Sequence, residues 1–158
     1  MPAEPFLDED HRVLTSEAFD FVLNNELKRA LRSQNFLTLV HLEPTVRGVA
    51  AHGDRDNAVR EIARLVSRDV RETDLLAETR KGRLSIVLLD ADMQNSLGVI
   101  DRLMSRLDNY AFARPLAIAV GAACCPTHGA DVEALRRAAE SQPIHPRRDD
   151  RGNASNAH

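Results

Sequence analysis

Cysteine is scarce and long apolar runs are missing. The chain of 158 residues holds two cysteines, Cys124 and Cys125, adjacent in sequence. Neighbouring cysteines rarely bridge, because the bond strains the backbone between them. That argues against a disulfide framework, and both read as small buried hydrophobes. No stretch approaches the roughly 20 apolar residues that a membrane span needs, so no membrane partner is expected. Residues 1–10 are Pro-rich and acidic, unlike the apolar core of a secretory leader. A soluble, cytoplasmic protein is the expectation. Charge of one sign is not in surplus either. Lys and Arg number 21 against 24 Asp and Glu, a net charge of −3. A general nucleic-acid binder is usually basic, so nucleic acid is not an expected partner. The six histidines are scattered, and no pair has metal-ligand spacing. No metal or other cofactor is implied by the residues.

What is present is enough apolar material, 43% of the chain, to bury one core. Residues 16–32 carry Phe19, Val22, Leu23, Leu27, Ala30 and Leu31 at helical spacing, with Thr15 or Ser16 as a cap. Residues 36–42 form a short apolar run and read as a buried strand. Residues 43–56, with Pro44, Gly48 and Gly53, read as a loop. A second helix is expected over 57–71, with Val59, Ile62, Ala63, Val66 and Val70 on one face. Strands over 75–78 and 84–89 flank a tight turn, in which Gly82 is free to take positive φ. A third helix over 97–107 should bury Leu97, Ile100, Leu103, Met104 and Leu107. A central strand follows over 116–124, then a short helix over 131–140, which Pro143 and Pro146 stop. The fold class implied is α/β, an α+β sandwich with one mixed sheet flanked by helices. Three regions follow: a flexible segment 1–13, a folded domain 14–142 and a disordered tail 143–158.

This order, with particular residues in it, resembles the GGDEF family of diguanylate cyclases. The resemblance rests on Glu26-Leu27-Lys28-Arg29-Ala30, on Val59-Arg60-Glu61-Ile62-Ala63-Arg64 and on the run from Val70 to Ala77. Ser85-Ile86-Val87-Leu88-Leu89 and Ala119-Val120-Gly121-Ala122-Ala123, with Pro126 and Gly129, extend it. It covers roughly residues 14–140 and implies the nucleotidyl cyclase-like fold. The family joins two GTP molecules into cyclic di-GMP with two divalent cations beside the phosphates. Those cations want carboxylate oxygens, one from the first strand and one from the signature hairpin.

The chain departs from that pattern at the signature, which reads Arg80-Lys81-Gly82-Arg83-Leu84. Gly82 stands where the metal-binding acid is expected, and Arg83 where its acidic neighbour is. His41 aligns with the first-strand acid, with Glu43 two residues on. His52 and Asp56 fit the family's Gly-His-x-x-Gly-Asp stretch. No Asp or Glu lies between Thr79 and Leu89, so a shift of register restores nothing. No catalytic residue is assigned and no enzymatic activity is expected. A single-metal residual enzyme built on Glu43 and His41 is the least favoured alternative. The basic turn Arg80-Lys81-x-Arg83 reads as solvated, in preference to a phosphate-binding turn.

One constellation matches the family's product-binding inhibitory pattern, Arg-x-x-Asp placed five residues before the signature. Arg71-Glu72-Thr73-Asp74 precedes the five residues 75–79 and then Arg80. The resemblance adds an Arg from the following helix, which falls on Arg102. Arginine can give paired N–H bonds to guanine or phosphate, and Asp can accept from guanine N–H groups. Arg71 and Asp74, at the end of the second helix, should share a face. They also make a common surface ion pair without any ligand. Two functions therefore stand open: a cyclic di-GMP receptor using Arg71, Asp74 and Arg102, or a ligand-free regulatory module docking a signalling protein. A homodimer is compatible with either.

Overall fold

The computed structural model describes residues 13–48, 51–141 and 143–144. The elements in chain order are α1 (Ser16–Ser33), β1 (Leu37–Val46), α2 (Asp54–Asp69), β2 (Leu75–Arg80) and β3 (Arg83–Leu89). Then come α3 (Met93–Asp108), β4 (Leu116–Cys125), α4 (Val132–Ser141) and β5 (Pro143–Ile144). The strands form one sheet in the order β2-β3-β1-β4-β5. The expected α+β sandwich is present. All strand ladders are antiparallel, and the parallel component of the sheet is one bridge between Leu14 and Ala77.

Side-chain alternation along the central strands separates two cores. Val40, Leu42, Ile86, Leu88, Val120 and Ala122 meet Ile62 and Val66 of α2 and Ile100 and Leu103 of α3. On the other face Leu37, Leu39, Val87, Ala123 and Cys125 meet Phe19, Leu23 and Leu27 of α1 and Leu135 of α4. Cys124 and Cys125 are both buried and unbridged, as small hydrophobes.

Several boundaries differ from the sequence expectation, each for a local reason. β1 runs through Pro44 to Val46. Its ladder to β3 ends at Leu42↔Leu84, so beyond that point β1 has a free side on which a proline is tolerated. α2 starts at Asp54 rather than 57, after Gly53 at φ 89°, with Asp54 and Asp56 favourably placed at its positive end. α3 starts at Met93, because the Asp92 carboxylate accepts from Asn95 N at 2.9 Å and caps the helix. Leu97 and Leu31 lie on solvent-facing sides of their helices and are exposed, not buried. The hairpin turn is tighter than expected. Arg80 and Arg83 already pair in the ladder, and Gly82 sits at φ 85°. Pro143 and Ile144, assigned to the head of a disordered tail, pair with Gly121 and Val120. The rest of that tail and the expected flexible segment up to residue 12 lie outside the described residues. Among the described residues no helix is long and apolar enough to cross a membrane.

Candidate functional site

The hairpin between β2 and β3 and the turn between α2 and β2 build two separate loci. At the first, sheet register sets Glu43 of β1 beside Arg83 of β3. Arg83 is one of the most buried charges in the chain, its side chain 8% exposed. Its Nε donates to Glu43 Oε2 at 3.0 Å, and its Nη1 donates to Glu140 Oε2 of α4 at 2.7 Å. Arg80 Nη2 adds a bond to the same Glu43 oxygen at 3.2 Å. A guanidinium buried this far is tolerable only with such charge-assisted partners. The Arg83 hydrogen bond holds the Glu140 carboxyl below the ordinary carboxylate range.

Beneath this pair lies His41, buried on β1. Its Nδ1 is 2.8 Å from Ser85 Oγ, which is 2.7 Å from Thr79 Oγ1. Its Nε2 has no partner among the described residues. Burial first, and the Arg83 charge second, lower the His41 pKa to about 4, so the ring is neutral at pH 7. His41, Glu43, Arg83 and Glu140 line a cavity of about 90 Å³. The hairpin tip completes this end of the sheet. Glu78 Oε2 accepts from Gly82 N at 3.0 Å, and Lys81 Nζ lies 3.9 Å from Asp56 Oδ2. The basic turn is therefore not simply solvated, since Arg80, Lys81 and Arg83 all face carboxylates.

The donor set does not fit the two divalent cations that the family resemblance implies. Gly82 brings no carboxylate, and the Glu43 and Glu140 carboxylates are already bridged by the fixed positive charge of Arg83. A dication placed there would meet the Arg83 guanidinium at short range. Among the described residues no group of three His, Cys, Asp or Glu has metal-binding geometry.

The second locus is the turn between α2 and β2. Arg71 and Asp74 do not share a helical face as expected, because α2 ends at Asp69 and its C-cap Val70 is already extended. They meet instead across a tight turn, closed by Asp74 N donating to Arg71 O at 2.9 Å. The Asp74 side chain is 3% exposed while that of Arg71 is 59% exposed. Asp74 Oδ2 accepts from Arg71 N at 3.0 Å. Asp74 Oδ1 accepts from Arg71 Nη2 at 3.3 Å and from Leu89 N at 3.1 Å. The Arg71 guanidinium also donates to the Leu89 carbonyl. Asp74 thus staples the turn to the end of β3 and aims the Arg71 head outward. Arg102 comes from a different element, the following helix. It is exposed on α3, one helical turn before Arg106, whose Nε lies 2.6 Å from Asp69 Oδ2 at the end of α2.

Sequence reasoning missed Glu140 and the Thr79–Ser85–His41 chain. Nothing in local spacing announces Glu140, since 57 residues separate it from Arg83. The period-2 alternation of β3 does place Ser85 on the Arg83 face, a signal that was available.

No protein-family profile and no curated protein sequence matches the chain. Solved structures do match. A DGC protein from Thermotoga maritima superposes with a TM-score of 0.73 at 14% identity, over 87% of this chain and 100% of that one. The GGDEF domain of DgcB from Caulobacter crescentus, in complex with c-di-GMP, gives 0.71 at 12% identity, over 89% and 86%. Diguanylate cyclase SiaD from Pseudomonas aeruginosa, in complex with its activator SiaC, gives 0.73 at 18% identity, over 85% and 55%. At these identities the likeness is one of fold: the chain has the fold of GGDEF domains.

Proposed function

We propose that the chain is a catalytically silent GGDEF-like signalling domain that binds cyclic di-GMP at the Arg71–Asp74 turn. The observation that carries the receptor reading is the state of Arg71. Its guanidinium is oriented by a buried carboxylate and a backbone carbonyl, yet remains open to solvent. A pre-aimed guanidinium loses little freedom when it takes up guanine or phosphate. Arg102 would supply a second cation from α3. That a GGDEF domain of this fold, DgcB, is known in complex with c-di-GMP supports the reading. The first locus supports silence, because Arg83 bridges the Glu43 and Glu140 carboxylates that a dication would otherwise meet.

The alternative is a ligand-free regulatory module on the same scaffold. One observation favours it: the Asp74 acceptors are already engaged by Leu89 N, Arg71 N and the Arg71 side chain. A guanine edge would have to share them. In that reading the exposed surface docks a signalling protein, as SiaD is complexed with an activator.

Calorimetric titration with cyclic di-GMP separates the two. The receptor reading expects saturable binding that weakens at least about tenfold, or about 1.4 kcal/mol, in Arg71→Ala. No heat at high micromolar ligand would leave the regulatory module standing. Incubation with GTP and Mg²⁺ or Mn²⁺ is expected to give no cyclic product, and clear turnover would overturn the silent assignment.

A further inference from the structure

A cavity of about 600 Å³ opens at the C-terminal end of α3, between that helix and the start of β4. We propose that it binds a planar aromatic monocarboxylate, at a site separate from the Arg71–Asp74 turn and independent of the cyclic di-GMP reading. The volume is that of a small-molecule site.

Its floor is apolar. Leu116 and Ile118 project from β4 on the face that carries Val120 and Ala122, yet they are only partly buried against that core. α3 stops at Asp108, so no described helix lies beyond it to cover them. Tyr110 and Phe112 make the wall, edge to face with ring centroids 4.7 Å apart. Their backbone is held by Tyr110 N donating to Leu107 O and Phe112 N donating to Tyr110 O. An existing edge-to-face pair offers a third ring the same offset geometry.

The mouth selects charge. Arg47, Arg114 and Asp108 face it. The Arg114 guanidinium lies 3.7 Å from Asp54 Oδ2, so its charge is largely answered. The remaining cation, Arg47, is exposed and held at the cavity by its backbone, Arg47 N donating to Pro115 O at 2.9 Å. The Arg47 head, with three rotatable bonds beyond Cβ and no ion pair to a described carboxylate, is the group free to turn onto an anion. One free guanidinium matches one carboxylate in a bidentate pair, while a polyanion would meet Asp108.

The test is a ¹H–¹⁵N NMR titration of the full chain with 2-naphthoate, and with the neutral 2-naphthamide as its isostere. Saturable shifts are expected at Arg47 and at the amides of residues 104–114 and 116–118. Affinity should fall at least about fivefold for the amide, and equally for naphthoate with Arg47→Gln, the loss of one charge-assisted pair. Arg47 is exposed, so the variant should fold, and its spectrum reports that directly. Absence of saturable shifts at those amides overturns the proposal. So does equal binding of naphthamide and naphthoate, or of the variant and the parent chain.

Discussion

Burial and the guanidinium of Arg83 hold the His41 pKa at about 4, against an ordinary 6.5. The folded chain therefore favours the neutral ring, and the unfolded chain does not. Stability from this group is complete above pH 6.5, falls as the unfolded state takes up the proton, and is lost by pH 4. The full difference corresponds to about 3 kcal/mol at 1.36 kcal/mol per unit. Urea unfolding at pH 7.5 and at pH 5 should show the decline, and His41→Gln should flatten it. Glu140, with its pKa lowered by Arg83, adds stability that disappears only below the ordinary carboxylate range, so the two effects fall in separable windows. Arg83→Met tests the same locus from the other side. It leaves Glu43 and Glu140 without their bridge, but both are partly exposed and water can answer them. A loss of about 1–3 kcal/mol is expected. The His41 pKa should rise in that variant, as read by NMR, because a lowering charge is gone while Glu43 and Glu140 remain.

The α2–β2 turn shows how one carboxylate can hold two elements together. Removing the Asp74 side chain leaves the amides of Arg71 and Leu89 without acceptors. Asp74→Ala should cost about 1–3 kcal/mol, with faster hydrogen exchange at the Leu89 amide. Arg71→Ala removes an exposed partner and should cost under about 1 kcal/mol. Equal losses in denaturant melts would contradict this division between an inner anchor and an outer head. The starts of α1 and α3 follow the same rule of local capping. Asp92 is a readable N-cap, yet the first turn of α3, Met93-Gln94-Asn95-Ser96, has no apolar period. The stripe of Ile100, Leu103, Met104 and Leu107 therefore fixes the buried face but not the first turn. The stripe of Val59, Ile62, Ala63 and Val66 predicted the buried face of α2 correctly.

Across the whole molecule, sequence-distant charges answer one another at the end of the sheet where the family resemblance would place cations. Millimolar Mg²⁺ should therefore leave the melting temperature unchanged, whereas a ligand that binds only the folded state raises stability by about 2.7 kcal/mol at one hundred times its Kd. Cyclic di-GMP should produce such a rise in thermal melts if the Arg71 turn is its site, and a tenfold weaker Kd in Arg71→Ala should cut it to about 1.4 kcal/mol at the same ligand concentration. A rise with Mg²⁺ alone would contradict the assignment of Arg83 as the fixed cation of that locus.

The sequence by itself determined the order of elements as far as α4, the turn at Gly82 and the Arg71–Asp74 pair. These depend on spacings of a few residues, which backbone periodicity and turn chemistry convert directly into neighbours. It also determined that no acid stands between Thr79 and Leu89. Only the tertiary structure decided what stands there instead. Arg83 is 40 residues from Glu43 and 57 from Glu140, and Asp74 is 15 from Leu89. The Arg83 contacts exist because β1 lies beside β3 and α4 packs over that face, and the Asp74 contact because β2 pairs antiparallel with β3. The hairpin that reads as a loss of carboxylates thus carries a buried arginine, since a desolvated guanidinium is stable only where the fold brings carboxylates to it.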